Sequence, residues 1–575
     1  MEDKKFPVWK AFWQIFSGYW NSEKKWEARG LLAVVIGLNI AMVYLLVRFN
    51  TWQNEFFAMF ETGDYGLFWY RLGEFSLIAF LFIFIAANAL YLQEMLRLRW
   101  RVWLTGRYLE KWMGSQSYYR LQVLGGETDN PDQRISEDVG NFARHTLGLM
   151  IGFLNKATSL VAFSVILWDL SGTLSFRIGG TTFHLYGYMF WACLAYSVIG
   201  TYFAHVVGRK TIGIKYDQQK YEANFRFSMM RVRENCESIA LYGGEQMELA
   251  GFDQDFGKCV KNYLKLMRQH RLLSLYTNTY SQAGAIMPML MAAPRMFNGS
   301  MQIGQFMQLT HAFGMVNDAM SYFVNSYTTI ASLAAVICRL GLFTVRIDEV
   351  NAISDGVRMR VGEDGHFSTI GLNVQLPGGR TVMKDCTITL RRGGRVLVTG
   401  PSGCGKSTFL RTISGIWPFG SGDVAVSPKD TALFLPQRPY LPLGTLRRAV
   451  WYPLDAAGSD DQVKEALRRV QLEKLIGRLD DVDEWSRVLS LGEQQRVAFA
   501  RVLLVRPDWV FLDESTSALD EKRETDMYGL LRRELPDMGI VSVGHRSSLF
   551  LLHDSELHMD GTSWVQRDIP APGAA

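Results

Sequence analysis

Gly400-Pro401-Ser402-Gly403-Cys404-Gly405-Lys406-Ser407-Thr408 is the stretch whose reading decides the fold of this 575-residue chain. An apolar run, Arg395-Val396-Leu397-Val398-Thr399, leads into it, and Phe409-Leu410-Arg411-Thr412-Ile413 follows with helical character. Strand, glycine loop, helix is the setting that a phosphate-binding loop requires. The glycines let backbone N–H groups turn onto phosphate oxygens, and the helix N-terminus adds its partial positive charge. Lys406 is placed to reach β- and γ-phosphates, and the Ser407 hydroxyl to hold Mg²⁺.

Five further motifs follow in order. Gln437 lies 31 residues past Lys406, in Leu435-Pro436-Gln437-Arg438-Pro439. Then come Leu489-Ser490-Leu491-Gly492-Glu493-Gln494-Gln495-Arg496, Trp509-Val510-Phe511-Leu512-Asp513-Glu514, and Ser517-Ala518-Leu519-Asp520. An isolated His545 stands after the apolar Ile540-Val541-Ser542-Val543. From about Phe367 to Leu557 the chain resembles the nucleotide-binding domain of ATP-binding-cassette (ABC) transporters. The resemblance implies an α/β P-loop NTPase cassette over 367–575 with ATP and Mg²⁺ as its ligands. It casts Glu514 as the group that polarises the attacking water and His545 as its orienting partner at the γ-phosphate. The loop from Gly400 to Thr408, with Gln437, would hold ATP. Ser407, Gln437 and Asp513 would complete the Mg²⁺ shell. Ser490, Gly492 and Glu493 would face the ATP of another cassette, Leu491 and Glu493 departing from the commonest Leu-Ser-Gly-Gly-Gln form. The usual aromatic residue ahead of the phosphate loop is missing. Leu376-Pro377-Gly378-Gly379-Arg380 stands there instead, leaving Arg380 to lie over the base or the adenine loosely held.

The rest of the chain is oily. Mean hydropathy is +0.01 with 48% hydrophobic residues, an average over an apolar part and a soluble part. A net charge of +5 is small for this length and implies no nucleic-acid partner. Six cysteines lack metal-ligand or paired spacing and read as reduced. No secretory signal is expected. Residues 1–29 carry Trp9, Phe12, Trp13, Phe16 and Trp20 three or four apart, which predicts an amphipathic helix in the membrane interface.

Gly30–Val47 and Phe75–Gln93 are charge-free runs of 18 and 19 residues, about enough to cross a hydrocarbon core of roughly 30 Å. Thr146–Trp168, Ile178–Gly208, Leu272–Pro294 and Met296–Cys338 add four, making six spans over 30–343, with a linker at 344–366. Residues 97–146 carry eight Lys/Arg and 209–271 carry twelve, whereas the intervening loops carry only Arg71 and Arg177. This bias predicts that both long loops and the cassette are cytoplasmic. Lys156, Arg295 and Asp318 are costly at membrane depth. Arg295 is expected to snorkel, while Lys156 and Asp318 can line a polar path or pair with each other.

Leu98–Thr105, Asn130-Pro131-Asp132-Gln133-Arg134-Ile135, Asn235–Gly244 and Ala293–Gly299 together resemble the BacA/SbmA-related ABC transporters of bacteria and the peroxisomal fatty-acyl transporters of subfamily D. This implies an α-helical six-span membrane domain of the exporter-type ABC fold. It also implies coupling helices around Asn130–Asp138 and Glu234–Gly244, with Asn130, Asp132 and Glu237 in the docking role. With one cassette per chain, a homodimer is expected. The expected cargo is a hydrophilic peptide or vitamin-like solute, such as an antimicrobial peptide, bleomycin or cobalamin, crossing the bacterial inner membrane. Fatty-acyl transport, and an ATP-gated channel or signalling ATPase, are the competing readings. Six spans exclude a soluble DNA-repair-type ATPase.

Overall fold

The computed structural model describes residues 7–124, 130–178, 181–352, 356–363, 365–454 and 459–570. The chain divides into two compact units, Met1–Glu110 with Asp129–Val345, and Lys111–Thr128 with Arg346–Ala575.

In the first unit, α1 (Val8–Trp20) is followed by the long helices α2 (Lys25–Thr62) and α3 (Gly66–Met113). The short helix α4 (Ser117–Val123), about two turns long, comes next in the chain but groups with the second unit. A turn, α5 (Pro131–Gln133), and a π-helical turn at Arg134–Asp138 open into α6 (Val139–Ser171). A hairpin of β1 (Thr173–Ile178) and β2 (Thr181–Tyr186) leads to α7 (Tyr188–Glu234), the short α8 (Cys236–Tyr242) and α9 (Glu245–Phe297). The last segment is broken into α10 (Ile303–Met320), α11 (Tyr322–Asn325) and α12 (Tyr327–Ala352). Among the described residues five stretches are long and apolar enough to cross a membrane: Lys25–Glu61, Gly66–Val123, Pro131–Ser171, Tyr188–Glu234 and Tyr327–Ala352. The helix α9 covers the expected Leu272–Pro294 span and makes six helical segments in all. At about 1.5 Å per residue, the 53 residues of α9 outrun any bilayer core. The long loops of the sequence are therefore helix continuing beyond the apolar run.

Packing in this unit explains several residues. Trp100 is fully buried, with Tyr19, Trp20 and Phe16 of α1 and Phe142 of α6 around it at ring distances of 5.6–5.8 Å. One face of α1 is thus packed against α3 and α6, while Trp9 and Trp13 stay exposed on the other. Lys156 and Asp318 are joined as an ion pair. Arg295 Nη1 donates to the Leu170 and Ser171 carbonyls at 2.8 Å, satisfying the C-terminus of α6.

The second unit is an α/β cassette. Residues 344–366, expected as a linker, instead hold the end of α12, the strand β3 (Val357–Val361) and the start of β4 (His366–Gln375). With β5 (Thr381–Arg391) and β7 (Gly420–Val426) they form a four-stranded sheet ordered β3-β7-β4-β5. The core sheet contains β6 (Arg395–Thr399) and β8 (Ala432–Leu435). A two-residue pair, β9 (Gly444–Thr445) and β10 (Val482–Asp483), stands apart. Then come β11 (Trp509–Asp513), β12 (Gly539–Val543), β13 (Ser555–Asp560) and β14 (Ser563–Asp568). The order β14-β13-β6-β12-β11-β8 is parallel except for β14. Its near-continuous Val/Ile/Leu/Phe strands are what burial on both faces requires. The helices are α13 (Lys406–Ile413), α14 (Leu446–Trp451), α15 (Asp460–Arg469), α16 (Trp485–Val488), α17 (Leu491–Val505) and α18 (Glu521–Glu534).

Candidate functional site: a phosphate loop at the strand ends

The carboxyl ends of β6, β8, β11 and β12 carry the predicted chemistry, where open parallel sheets bind ligands. Gly400, Gly403 and Gly405 have φ of 137°, 78° and 108°, conformations that side chains resist. A Cβ on Gly400 would strike the Met559 carbonyl at 2.2 Å, so the loop needs glycine there sterically as well. Pro401, Ser402 and Cys404 complete the turn, and Lys406 opens α13 with Ser407 and Thr408. The Lys406 ammonium donates to the Gly400 and Pro401 carbonyls at 2.8 and 2.9 Å, which holds it over the loop it would use for phosphate.

Ser407 Oγ donates to Asp513 Oδ1 at 2.8 Å, joining the loop helix to the end of β11. Burial pushes the Asp513 carboxyl up, Ser407 pulls it back, and neighbouring Glu514 raises it further. Glu514 takes a left-handed backbone, φ 50°, with its N–H donating to the Val543 carbonyl at 3.1 Å. Such a conformation is costly for a non-glycine residue and recurs at functional sites. Its carboxylate accepts from Gln437 Nε2 at 2.9 Å and faces His545 Nε2 at 3.2 Å. Ser407 thus meets Asp513, and Gln437 and His545 meet the adjacent Glu514, at the ends of neighbouring strands.

Magnesium fits this donor set. A hydroxyl and a carboxylate stand together, with an amide on the neighbouring Glu514, hard oxygen donors that leave room for water and phosphate oxygens. Among the described residues no group of three His, Cys, Asp or Glu could cage a metal alone. The start of β5 places Val382 against Gly405, where an added Cβ would sit 2.9 Å from Val382 Cβ. Arg380, two residues earlier, is exposed beside the loop.

The signature segment opens α17. Ser490 caps it, and a box forms: Ser490 N and Oγ each donate to Glu493 Oε2 at 2.9 Å, while Glu493 N donates back to Ser490 Oγ at 3.4 Å. Lys474 forms an ion pair with Glu493. Gly492 is approached closely from within the chain too: a Cβ there would lie 3.1 Å from the Ala518 carbonyl oxygen, so the neighbouring backbone would have to give by a few tenths of an ångström. Gln495 links this helix to the Gln437 carbonyl at 3.1 Å and to Ser517 at 3.2 Å.

The expected coupling residues fall in two settings. Asn130 and Asp132 are exposed at the first turn of α5, but Arg134, Ile135 and Asp138 behind them are buried in the membrane unit. Glu237 lies on α8, which has no buried residue and ends at Gly243 in the left-handed conformation, φ 62°. The sequence reading missed α4. Its Val123 packs into the cassette core, Tyr119 is partly buried beside the Arg411 guanidinium of α13, and Ser117 Oγ donates to Asn351 at 2.9 Å. The available signal was Gly114-Ser115, which breaks α3, followed by Tyr118-Tyr119 in a polar loop.

The membrane unit contains a cavity of about 680 Å³. It is bordered by α7, α9, α10 and α11, and its lining is mixed: Tyr280, Ser281, Thr310, His311, Asn317 and Asp318 set polar groups into a wall that also carries Ala204, Pro288, Met289 and Met315. Tyr280 and Tyr196 stack at 4.5 Å, and Tyr280 and Ser197 both donate to Asn317 Oδ1, at 2.8 and 2.9 Å.

Residues 16–297 match the family described as ABC transporter transmembrane region 2, and residues 383–517 the family described as ABC transporter. The inner membrane ABC transporter ATP-binding protein YddA of Escherichia coli is 32% identical over 94% of this chain and 95% of its own length. The chloroplastic ABC transporter D family member 2 of Arabidopsis thaliana is 32% identical over 96% and 86%. The human lysosomal cobalamin transporter ABCD4 is 27% identical over 81% of each chain. A bacterial Atm1-family ABC exporter solved with ATP bound has the same fold, with TM-score 0.74 and 16% identity over 95% and 96% of the two chains.

Proposed function

Since the chain belongs to the ABC transporters, as a membrane region fused to its own ATPase and related to subfamily D, we propose that it carries a hydrophilic solute across a bacterial inner membrane as a homodimer. That it is an ATP-driven transporter follows from the family; the cargo, the dimer and the membrane are our reading.

The observation that carries the cargo class is the lining of the 680 Å³ cavity with hydroxyl, amide, imidazole and carboxylate groups. An acyl chain gains no hydrogen bond from those groups, several of which are already paired within the chain, and it would strip water from their remaining donors and acceptors, which is costly. A peptide or vitamin-like solute satisfies them. The relative named as a cobalamin transporter and the one named as an inner membrane protein agree in kind.

In the cassette, Lys406 and the loop amides bind the triphosphate, and Ser407, Gln437 and Asp513 would hold Mg²⁺, which supplies charge neutralisation to the phosphates. Glu514 accepts a hydrogen bond from the attacking water, and His545 and Gln437 orient its carboxylate. Ser490, Gly492 and Glu493 present the start of α17 to the second copy's nucleotide.

The test is a panel of solutes offered to the full chain in sealed vesicles, with ATPase stimulation and ATP-dependent accumulation both measured. Stimulation and accumulation by peptides or cobalamin-like solutes are expected. Selective response to fatty-acyl compounds overturns the cargo class, and ATP hydrolysis without accumulation of any solute favours a channel or signalling ATPase.

A further inference from the structure

We propose that Lys474 is a positioning residue for ATP turnover, neutralising Glu493 so that a triphosphate from a second copy of this chain can approach Ser490 and Gly492. The inference rests on the reading that this signature segment faces the partner's nucleotide.

The difficulty that Lys474 resolves is local. The helix start that would receive a phosphate carries a carboxylate at its third residue, Glu493, whose oxygen also takes the Ser490 hydroxyl at 2.9 Å. Burial would raise this carboxyl, but the Lys474 ion pair and the Ser490 hydrogen bonds outweigh it and bring it down to about 2. Glu493 is therefore an anion throughout the working range, beside the place where another polyanion must settle. Like charges brought together across an interface oppose association.

Lys474 is the cation paired with that carboxylate. It stands on the 3₁₀ turn Glu473–Arg478, nineteen residues before Glu493 in sequence. The Glu493 side chain is 13% exposed and that of Lys474 is 68% exposed. The ammonium thus covers the anion from the solvent side and keeps donors free for an incoming phosphate. Arg496, one turn further along α17, is committed elsewhere: its Nη1 donates to the Gln471 carbonyl at 2.6 Å.

The test uses the full chain in vesicles, with ATPase kinetics, binding of a fluorescent ATP analogue and thermal unfolding measured for each variant. Lys474→Met should lower kcat/KM for ATP about tenfold, with analogue affinity and melting temperature unchanged. Lys474→Arg, which keeps the charge, should remain within about twofold of wild type. Adding Glu493→Gln to Lys474→Met should restore most of the loss, because glutamine preserves the capping box without the charge. Wild-type turnover in Lys474→Met overturns the proposal, as does a loss that Glu493→Gln fails to rescue. Gly492→Asp separates the two layers. If it hydrolyses ATP normally, the signature reading falls and takes this proposal with it. If it is inactive while Lys474→Met is normal, only the role of Lys474 falls.

Discussion

Arg339 closes on the Asp138 carboxylate through two hydrogen bonds, Nε to Oδ2 at 2.9 Å and Nη2 to Oδ1 at 2.6 Å. Arg134 donates to the same carboxylate at 2.6 Å, and Asp138 is 3% exposed. The aspartate at the head of α6 is thus a buried anion held by two cations, tying that helix to α12. Breaking a buried pair strands a charge, at a cost of about 3–5 kcal/mol. Arg339→Ala should fall near the lower end, about 3 kcal/mol, because Arg134 remains. Asp138→Ala, which removes the anion that both guanidiniums share, should cost more. Thermal unfolding in detergent reads the difference, and an unchanged melting temperature in both variants would show that the triad is idle.

Glu514→Gln should retain ATP binding and nearly abolish turnover, trapping cassettes together with nucleotide between them. Lys406→Ala should weaken binding itself by removing a phosphate contact. Equilibrium binding and single-turnover hydrolysis separate the two, and wild-type hydrolysis by Glu514→Gln would remove that residue from its role.

With Arg380 exposed in place of an aromatic residue, phosphate contacts should dominate nucleotide affinity. GTP should be hydrolysed within about tenfold of ATP, a gap of about 1.4 kcal/mol. Parallel kcat/KM measurements decide this; a thousandfold preference for ATP would reveal a base-reading group elsewhere.

Glu237→Ala should leave ATP affinity and melting temperature unchanged while transport drops steeply and solute stimulation of ATPase disappears. The residue is exposed on α8 alongside Leu241 and Tyr242, which are 80% and 89% exposed. Normal transport, or loss of function only through unfolding, counts against coupling through this helix.

Tyr119→Phe should have a different signature, because the Tyr119 hydroxyl lies beside the Arg411 guanidinium on the same helix as Lys406. Both ATP affinity and solute stimulation should fall, with the melting temperature nearly unchanged. Wild-type affinity and stimulation in Tyr119→Phe would show that this hydroxyl does not position α13.

Much of the catalytic end was legible because its residues sit at fixed places on parallel strands and their following turns. Asp513 and Glu514 end β11, His545 follows β12, and the loop Gly400–Gly405 follows β6. Neighbouring strands in one sheet bring these ends together whatever the lengths between them. The left-handed Glu514 and the Lys406 contacts with its own loop were not legible, since backbone strain and side-chain direction carry no sequence pattern. The setting of the expected coupling residues carries no local signal either. Within the motif Asn130–Asp138, Arg134 and Asp138 are buried with Arg339 in the membrane unit, and α4 packs within the cassette's own unit.

The sequence by itself determined the two-part architecture, because apolar runs of bilayer length and a glycine loop between strand and helix each admit few structures. It also placed the nucleotide chemistry on named residues. Only the tertiary structure decided which charges meet. Lys156 with Asp318, Arg339 with Asp138 and Lys474 with Glu493 join residues 162, 201 and 19 positions apart. Coulomb attraction acts over a few ångströms and depends on what burial excludes. That distance is set by helix packing, which no local pattern in the chain encodes.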